Sequence, residues 1–163
     1  MEKIKKIKKL LTDFNLDAYI IPKNDEFFGE YIPDFKDNLK FISSFSGSYG
    51  FAIIFKKKNY LFVDGRYTLQ AKIQSGDKFK IITIPNMLPS DVLKNKKFSI
   101  GYDPKLHTEF MLNRFFKNTK CKMIPVKQNL IDKIWKRKKS NKFNKFYKIK
   151  DKDSGQSSNN KIK

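Results

Sequence analysis

Little in this chain suits metal or covalent chemistry. It has one cysteine, Cys121, and one histidine, His107. A single cysteine excludes an internal disulfide and a cysteine zinc site, and a single histidine excludes any site that needs two. No Asp/Glu/His constellation appears at hydrolase spacing. Arginine is also scarce: of 36 basic residues only Arg66, Arg114 and Arg137 carry a guanidinium. Nucleic-acid readers favour arginine, whose planar fork matches guanine and phosphate. No apolar run approaches the roughly 18 residues that a membrane span requires. The start, Met1-Glu2-Lys3-Ile4-Lys5-Lys6, lacks the apolar stretch of a secretory signal, so the expected location is the cytoplasm.

What is present is enough for one domain and a tail. The 163 residues are 39% apolar and 32% charged, and 16 Phe with 7 Tyr supply core material, which argues against global disorder. The net charge is +20. Residues 136–163 carry 11 basic and 2 acidic side chains, so about half of the excess lies in the last sixth of the chain. A lysine-rich solvated surface, with the composition of an AT-rich genome, explains this balance, and polyanion binding is the competing reading.

The apolar pattern alternates helices and strands. Ile4, Ile7, Leu10, Leu11 and Phe14 fall at helical spacing, with a stop at Asn15-Leu16. Asp17–Ile21 reads as a buried strand ended by Pro22. Residues 23–38 read as a long ordered excursion with one helical turn around Phe27–Tyr31, and loops of that length are often functional. Ser43–Gly50 reads as a tight turn between strands. Gly50–Phe55 and Tyr60–Asp64 form a hairpin across Lys56–Asn59. A helix with Tyr67, Leu69, Gln70, Ala71 and Ile73 follows, then a strand at Phe79–Ile84 and a short helix at Pro89–Leu93. Phe98–Tyr102 is a strand, Thr108–Phe116 a helix capped by Thr108, Lys122–Val126 an edge strand and Leu130–Trp135 a last short helix. Asp151–Lys163 is expected to be disordered. The class is α/β, a mixed β-sheet flanked by helices.

Few motifs carry chemistry. Ser43–Gly50 fails as a phosphate loop, because no Lys-Ser or Lys-Thr follows the glycines and a strand stands where a helix should begin. His107, at a helix start, suits a surface residue, and Cys121 suits a buried or half-buried thiol. Asp64-Gly65-Arg66-Tyr67 is different. Asp64 ends a strand and can cap the next helix, Gly65 allows the turn, and Arg66 projects at the C-terminal edge of the sheet, where ligands of open α/β sheets gather. Pairing of Arg66 with Asp64 as a purely structural contact is the alternative.

Several segments together resemble a known family. Leu16–Pro22, Glu30-Tyr31-Ile32 with Phe41–Gly50, Val63-Asp64-Gly65-Arg66-Tyr67-Thr68-Leu69-Gln70-Ala71 and Ile124–Trp135 stand in the order found in eukaryotic-type Xaa-Pro aminopeptidases, and Ser99–Pro104 matches a further block. The resemblance covers about residues 4–135. It implies a creatinase-type, ribonuclease-H-like N-terminal domain over 1–135, with 136–163 as a basic linker leading into a second domain, as in a truncated or split reading frame. In that family a later pita-bread metallopeptidase domain holds two divalent ions, usually manganese, on two Asp, one His and two Glu. None of that machinery lies in these residues, so the resemblance implies a non-catalytic domain with no cofactor or metal site of its own. It would help to shape the active-site entrance. It further implies, as partners, the second and catalytic domains supplied by a downstream frame, a peptide with a penultimate proline, and a homodimer of the full-length form. Arg66, oriented by Asp64, is the implied substrate-binding residue. The alternative is a basic nucleic-acid-binding module.

Overall fold

The computed structural model describes residues 2–137 and 147–163. Its elements run α1 (Glu2–Asp13), β1 (Ala18–Pro22), α2 (Asn38–Ser43), β2 (Gly50–Phe55), β3 (Asn59–Asp64), α3 (Thr68–Ser75), β4 (Lys80–Ile84), α4 (Pro89–Val92), β5 (Ser99–Tyr102), α5 (Glu109–Phe116), β6 (Lys122–Pro125), α6 (Asp151–Ser154) and α7 (Ser158–Ile162). The strands form one sheet in the order β4-β3-β2-β1-β5-β6. β2 is antiparallel to both neighbours, and the other pairings are parallel. The hairpin therefore makes a mixed sheet, and helices cover both of its faces.

Side chains alternate between those faces, yet β1 and β2 read as unbroken apolar runs because both sides are buried. Tyr19, Ile21, Ala52, Ile54, Leu61 and Val63 join Ile4, Ile7 and Leu11 of α1, Leu39 and Ile42 of α2, and Ala71 of α3. On the other face Ile20, Phe51, Ile53 and Phe62 pack against Leu93, Phe115 and Phe116. Helix α1 thus buries Ile4, Ile7 and Leu11 of the expected stripe and half-buries Leu10, whereas Phe14 lies beyond its end and is exposed. Asn15 then takes a left-handed φ of 51°, which ends the helix before β1.

Four readings of the sequence need correction. No helical turn forms at Phe27–Tyr31. The Asp25 carboxylate accepts from Phe27 N at 3.0 Å, and Phe28 turns left-handed (φ 53°), so the chain makes an Asx-type turn instead. The helical turn falls later, as a 3-10 turn at Asp34–Lys36. Ser43–Gly50 is not a turn between strands, because the helix α2 precedes it. Asp37 caps that helix by accepting from Lys40 N at 2.9 Å, and Ser44 closes it with a φ of 67°. Leu130–Trp135 makes consecutive turns rather than a helix, and its end is fixed by Trp135 stacking on Phe41 at 4.3 Å. Within Asp151–Lys163, where disorder is expected, α6 and α7 are two short helices with no buried residue, the second capped by Ser157.

Candidate functional site

All five parallel strands end at the same edge of the sheet, and β2 starts there. The segments after β1 and β3 and the turn before β2 therefore meet at one end of the domain. Asp64, the last residue of β3, accepts from Arg66 N at 2.9 Å and so shapes the 3-10 turn Gly65–Tyr67 that leads into α3. The same carboxylate holds the Arg66 guanidinium through Nε at 3.2 Å to each oxygen and Nη2 at 2.7 Å. This fork uses two of the five guanidinium N–H groups and leaves three pointing away. The Arg66 side chain is 74% exposed. Its hydrogen bonds hold the Asp64 carboxyl below the ordinary carboxylate range, so the pair stays charged in neutral solution.

The surroundings are built to stay put. Tyr67, whose ring lies 5.3 Å from the Arg66 guanidinium carbon, shares a 2.7 Å hydrogen bond with the Ser48 hydroxyl and packs edge-on against the buried ring of Phe45. Gln74 Oε1 accepts from Ser46 N at 2.8 Å, while Gln70 and Gln74 both donate to Ser46 Oγ. These bonds tie the Ser46–Tyr49 turn to α3. Gly47 belongs there for closeness: a Cβ would lie 2.2 Å from Phe45 Cζ. Thr68 and Thr83 join their hydroxyls at 2.9 Å, which fastens the start of α3 to β4.

The structure also brings together groups that no local motif announces. Lys23 and Asp37 form an ion pair with side chains only 9% and 5% exposed. Asn129 donates to Asp103 Oδ2 at 2.9 Å. Arg137 donates to Phe35 O at 2.8 Å and Asn38 Oδ1 at 2.9 Å, pairs with Asp132, and lies 4.6 Å from the Trp135 ring. The signal for α2 was present in Asp37 and in the spacing of Leu39 and Ile42. Nothing in the sequence pairs Lys23 with Asp37.

His107 is half-buried, not the surface residue its position suggests. Its Nδ1 donates to Asp103 O at 2.9 Å, and its Nε2 is buried without a partner among the described residues. Burial disfavours the imidazolium and lowers the pKa, against the weaker opposing pull of the Asp103 carbonyl bond. A folded-state pKa below 6.5 means that the unfolded chain takes up a proton before the folded chain does. Stability is thus expected in full above about pH 7 and to decline as acid takes the solution below the ordinary imidazole range. Urea midpoints measured across that range check this. His107→Asn, which keeps a donor and cannot titrate, should flatten the profile, and an unchanged profile would assign the slope to other groups.

Cys121 is half-buried, with Sγ 3.4 Å from Lys96 O. Among the described residues no group of three or more His, Cys, Asp or Glu side chains is placed to hold a metal ion. The paired ions of the resembled family do not fit the described residues. Among the described residues no helix is long and apolar enough to cross a membrane.

Known proteins share this architecture. A Coprinopsis cinerea protein, a probable Xaa-Pro aminopeptidase P, is 31% identical over 167 residues, covering 96% of this chain and 27% of the relative. A Dictyostelium discoideum protein, Xaa-Pro aminopeptidase 1, is 32% identical and is covered to 28% of its length by 99% of this chain. The chain therefore spans about a quarter of these curated relatives. The crystal structure of X-prolyl aminopeptidase from Caenorhabditis elegans, described as a cytosolic enzyme with a di-nuclear active site, superposes with a TM-score of 0.74 at 26% identity, over 85% of this chain and 26% of that one. The N-terminal domain of a cytoplasmic peptidase from Mycobacterium tuberculosis shares the fold at 19% identity, with a TM-score of 0.63 over 82% of this chain and 98% of that domain. The profile of the Creatinase/Prolidase N-terminal domain matches residues 3–134. With that match spanning most of the chain, and the mixed six-stranded sheet in place beneath it, the chain belongs to the creatinase/prolidase N-terminal domain family.

Proposed function

We propose that this domain is the non-catalytic N-terminal part of a metal-dependent Xaa-Pro aminopeptidase, and that it helps to shape the entrance through which peptides reach the active site. Residues 1–135 are the folding unit in this reading, and 136–163 lead toward further domains. Hydrolysis, with the two divalent ions that the family resemblance implies to be manganese, belongs to those domains. The substrate is a peptide with a penultimate proline, and the location is the cytoplasm.

One observation carries the reading: Arg66 is clamped by Asp64 yet largely exposed, at the sheet edge where the parallel strands end. A guanidinium so held keeps donors free for a peptide carbonyl or carboxylate and needs little reorganisation to use them. The test is to change the matching arginine to alanine in a full-length relative such as the Dictyostelium enzyme. Its kcat/KM is expected to fall about tenfold or more, as for loss of a charge-assisted hydrogen bond. Arg66→Ala in the present chain should leave the melting temperature close to that of the parent, because the side chain packs against little else. Unchanged kinetics with a large loss of stability would make Arg66 a structural partner of Asp64.

A further inference from the structure

The opposite end of the sheet holds a different feature. β3 runs six residues from Asn59 to Asp64, so its start lies on the order of 17 Å from the Arg66 turn. There a cleft of about 490 Å³ is lined by Lys5 and Lys8 of α1, Lys57 and Lys58 of the hairpin turn, and Lys78 and Lys80 around the start of β4. Asp77 is its single carboxylate, so the lining carries a balance of +5. Among the described residues none of the six lysines is in an ion pair, whereas Lys6, Lys23, Lys36, Lys40 and Lys56 all are. Asn59 donates to Lys78 O at 2.8 Å and fastens the hairpin to the turn before β4, so two of the three contributing segments are fixed relative to each other.

A cleft of that volume spans on the order of 10 Å, comparable with the Debye length in physiological salt, so salt only partly screens the mutual repulsion of its ammonium groups. A multivalent anion seated among them removes that repulsion. Lysine is a point-charge phosphate binder, not a planar reader of bases. The lining contains no arginine, and its one aromatic ring, Tyr60, is half-buried and packed edge-on against Phe55 at 5.7 Å. There is therefore no stacking platform for a run of bases and no fork for a base edge. Concave shape and moderate volume suit a compact ligand rather than a duplex track.

We propose that this lysine cleft binds a short oligophosphate anion, independently of the aminopeptidase reading. Calorimetric titration of the whole chain with sodium tripolyphosphate, at about 50 mM and about 300 mM sodium chloride, tests it. Saturable one-to-one binding is expected, weakened about tenfold by the higher salt and about tenfold by the double variant Lys57→Gln/Lys78→Gln. The pair Lys117→Gln/Lys120→Gln removes the same charge outside the cleft and should change affinity less than about twofold. Titration with ATP separates the sources. Equal affinity assigns the free phosphate chain, and clearly tighter binding assigns a nucleoside-linked one. No binding, equal weakening by both lysine pairs, or tighter binding of a short DNA duplex that is indifferent to the cleft variant would each overturn the proposal. All four substituted lysines are exposed, and melting temperatures confirm that the variants fold. Lys5→Gln/Lys80→Gln serves as a second cleft variant.

Discussion

Asp37→Ala is expected to destabilise the domain by about 3–5 kcal/mol, the range for breaking a buried ion pair on one side. Asp37 has two tasks. It faces the Lys23 ammonium with both side chains almost wholly out of water, and it caps α2 through Lys40 N. Alanine leaves a buried ammonium without its counter-charge, and it removes a cap worth about 1 kcal/mol on its own. Asp37→Asn separates the two tasks, because an amide oxygen can still cap while the charge is gone. Urea unfolding of both variants checks this, with the alanine midpoint expected below that of asparagine and both far below the parent. A loss under about 1 kcal/mol in both would show that Lys23 finds water or another partner without rearrangement.

Phe62→Ala should cost a similar amount, about 3–5 kcal/mol, for a different reason. Phe62 is 0% exposed and stacks on Phe51 at 4.8 Å, and Phe51 in turn packs on Phe115 of α5 at 5.0 Å. Truncation opens a cavity between the sheet and α5 that neighbouring strands cannot close without breaking their ladder. β3 pairs with both β2 and β4, and two residues beyond Phe62 the same strand presents Asp64, so the packing that stabilises the fold also places the candidate site. Ile73→Ala is the natural comparison. Ile73 is 73% exposed on α3, and its truncation should change stability by no more than about 0.5 kcal/mol. Thermal unfolding of the two variants side by side measures the contrast.

These two residues mark where reading a sequence succeeds and where it stops. The α1 stripe, the hairpin at 50–64 and the six strands follow from spacing over a few residues, and each forms within one or two residues of expectation. Asp64 as a cap is local too, since the carboxylate and the N–H it accepts are two residues apart. The exposure of Leu69 and Ile73 on α3 and of Phe110 on α5 is not legible, because how much of each helix the sheet covers is set by packing and not by the helix's own sequence. Nor is the burial of His107, whose ring bonds back to the Asp103 carbonyl and lies edge-on to Tyr102. Helix α2 was within reach, but its two-turn length leaves too few apolar positions for a period to stand out against the turn formers around it.

By itself the sequence determined the α/β class, the antiparallel hairpin within a largely parallel sheet, and the Asp64-Gly65-Arg66 turn at a strand end. All three rest on hydrogen bonds and side-chain periods that act between near neighbours. Only the tertiary structure decided that Lys23 and Asp37 are a buried pair rather than two surface charges. It alone gathered six lysines from three distant segments into one cleft, and it alone tied Arg137 back onto residues about one hundred positions earlier. Charges separated by tens of residues carry no mark of their partners. Their environment, and hence whether they are solvated, paired or left to meet a ligand, is set only when chain closure brings the elements together.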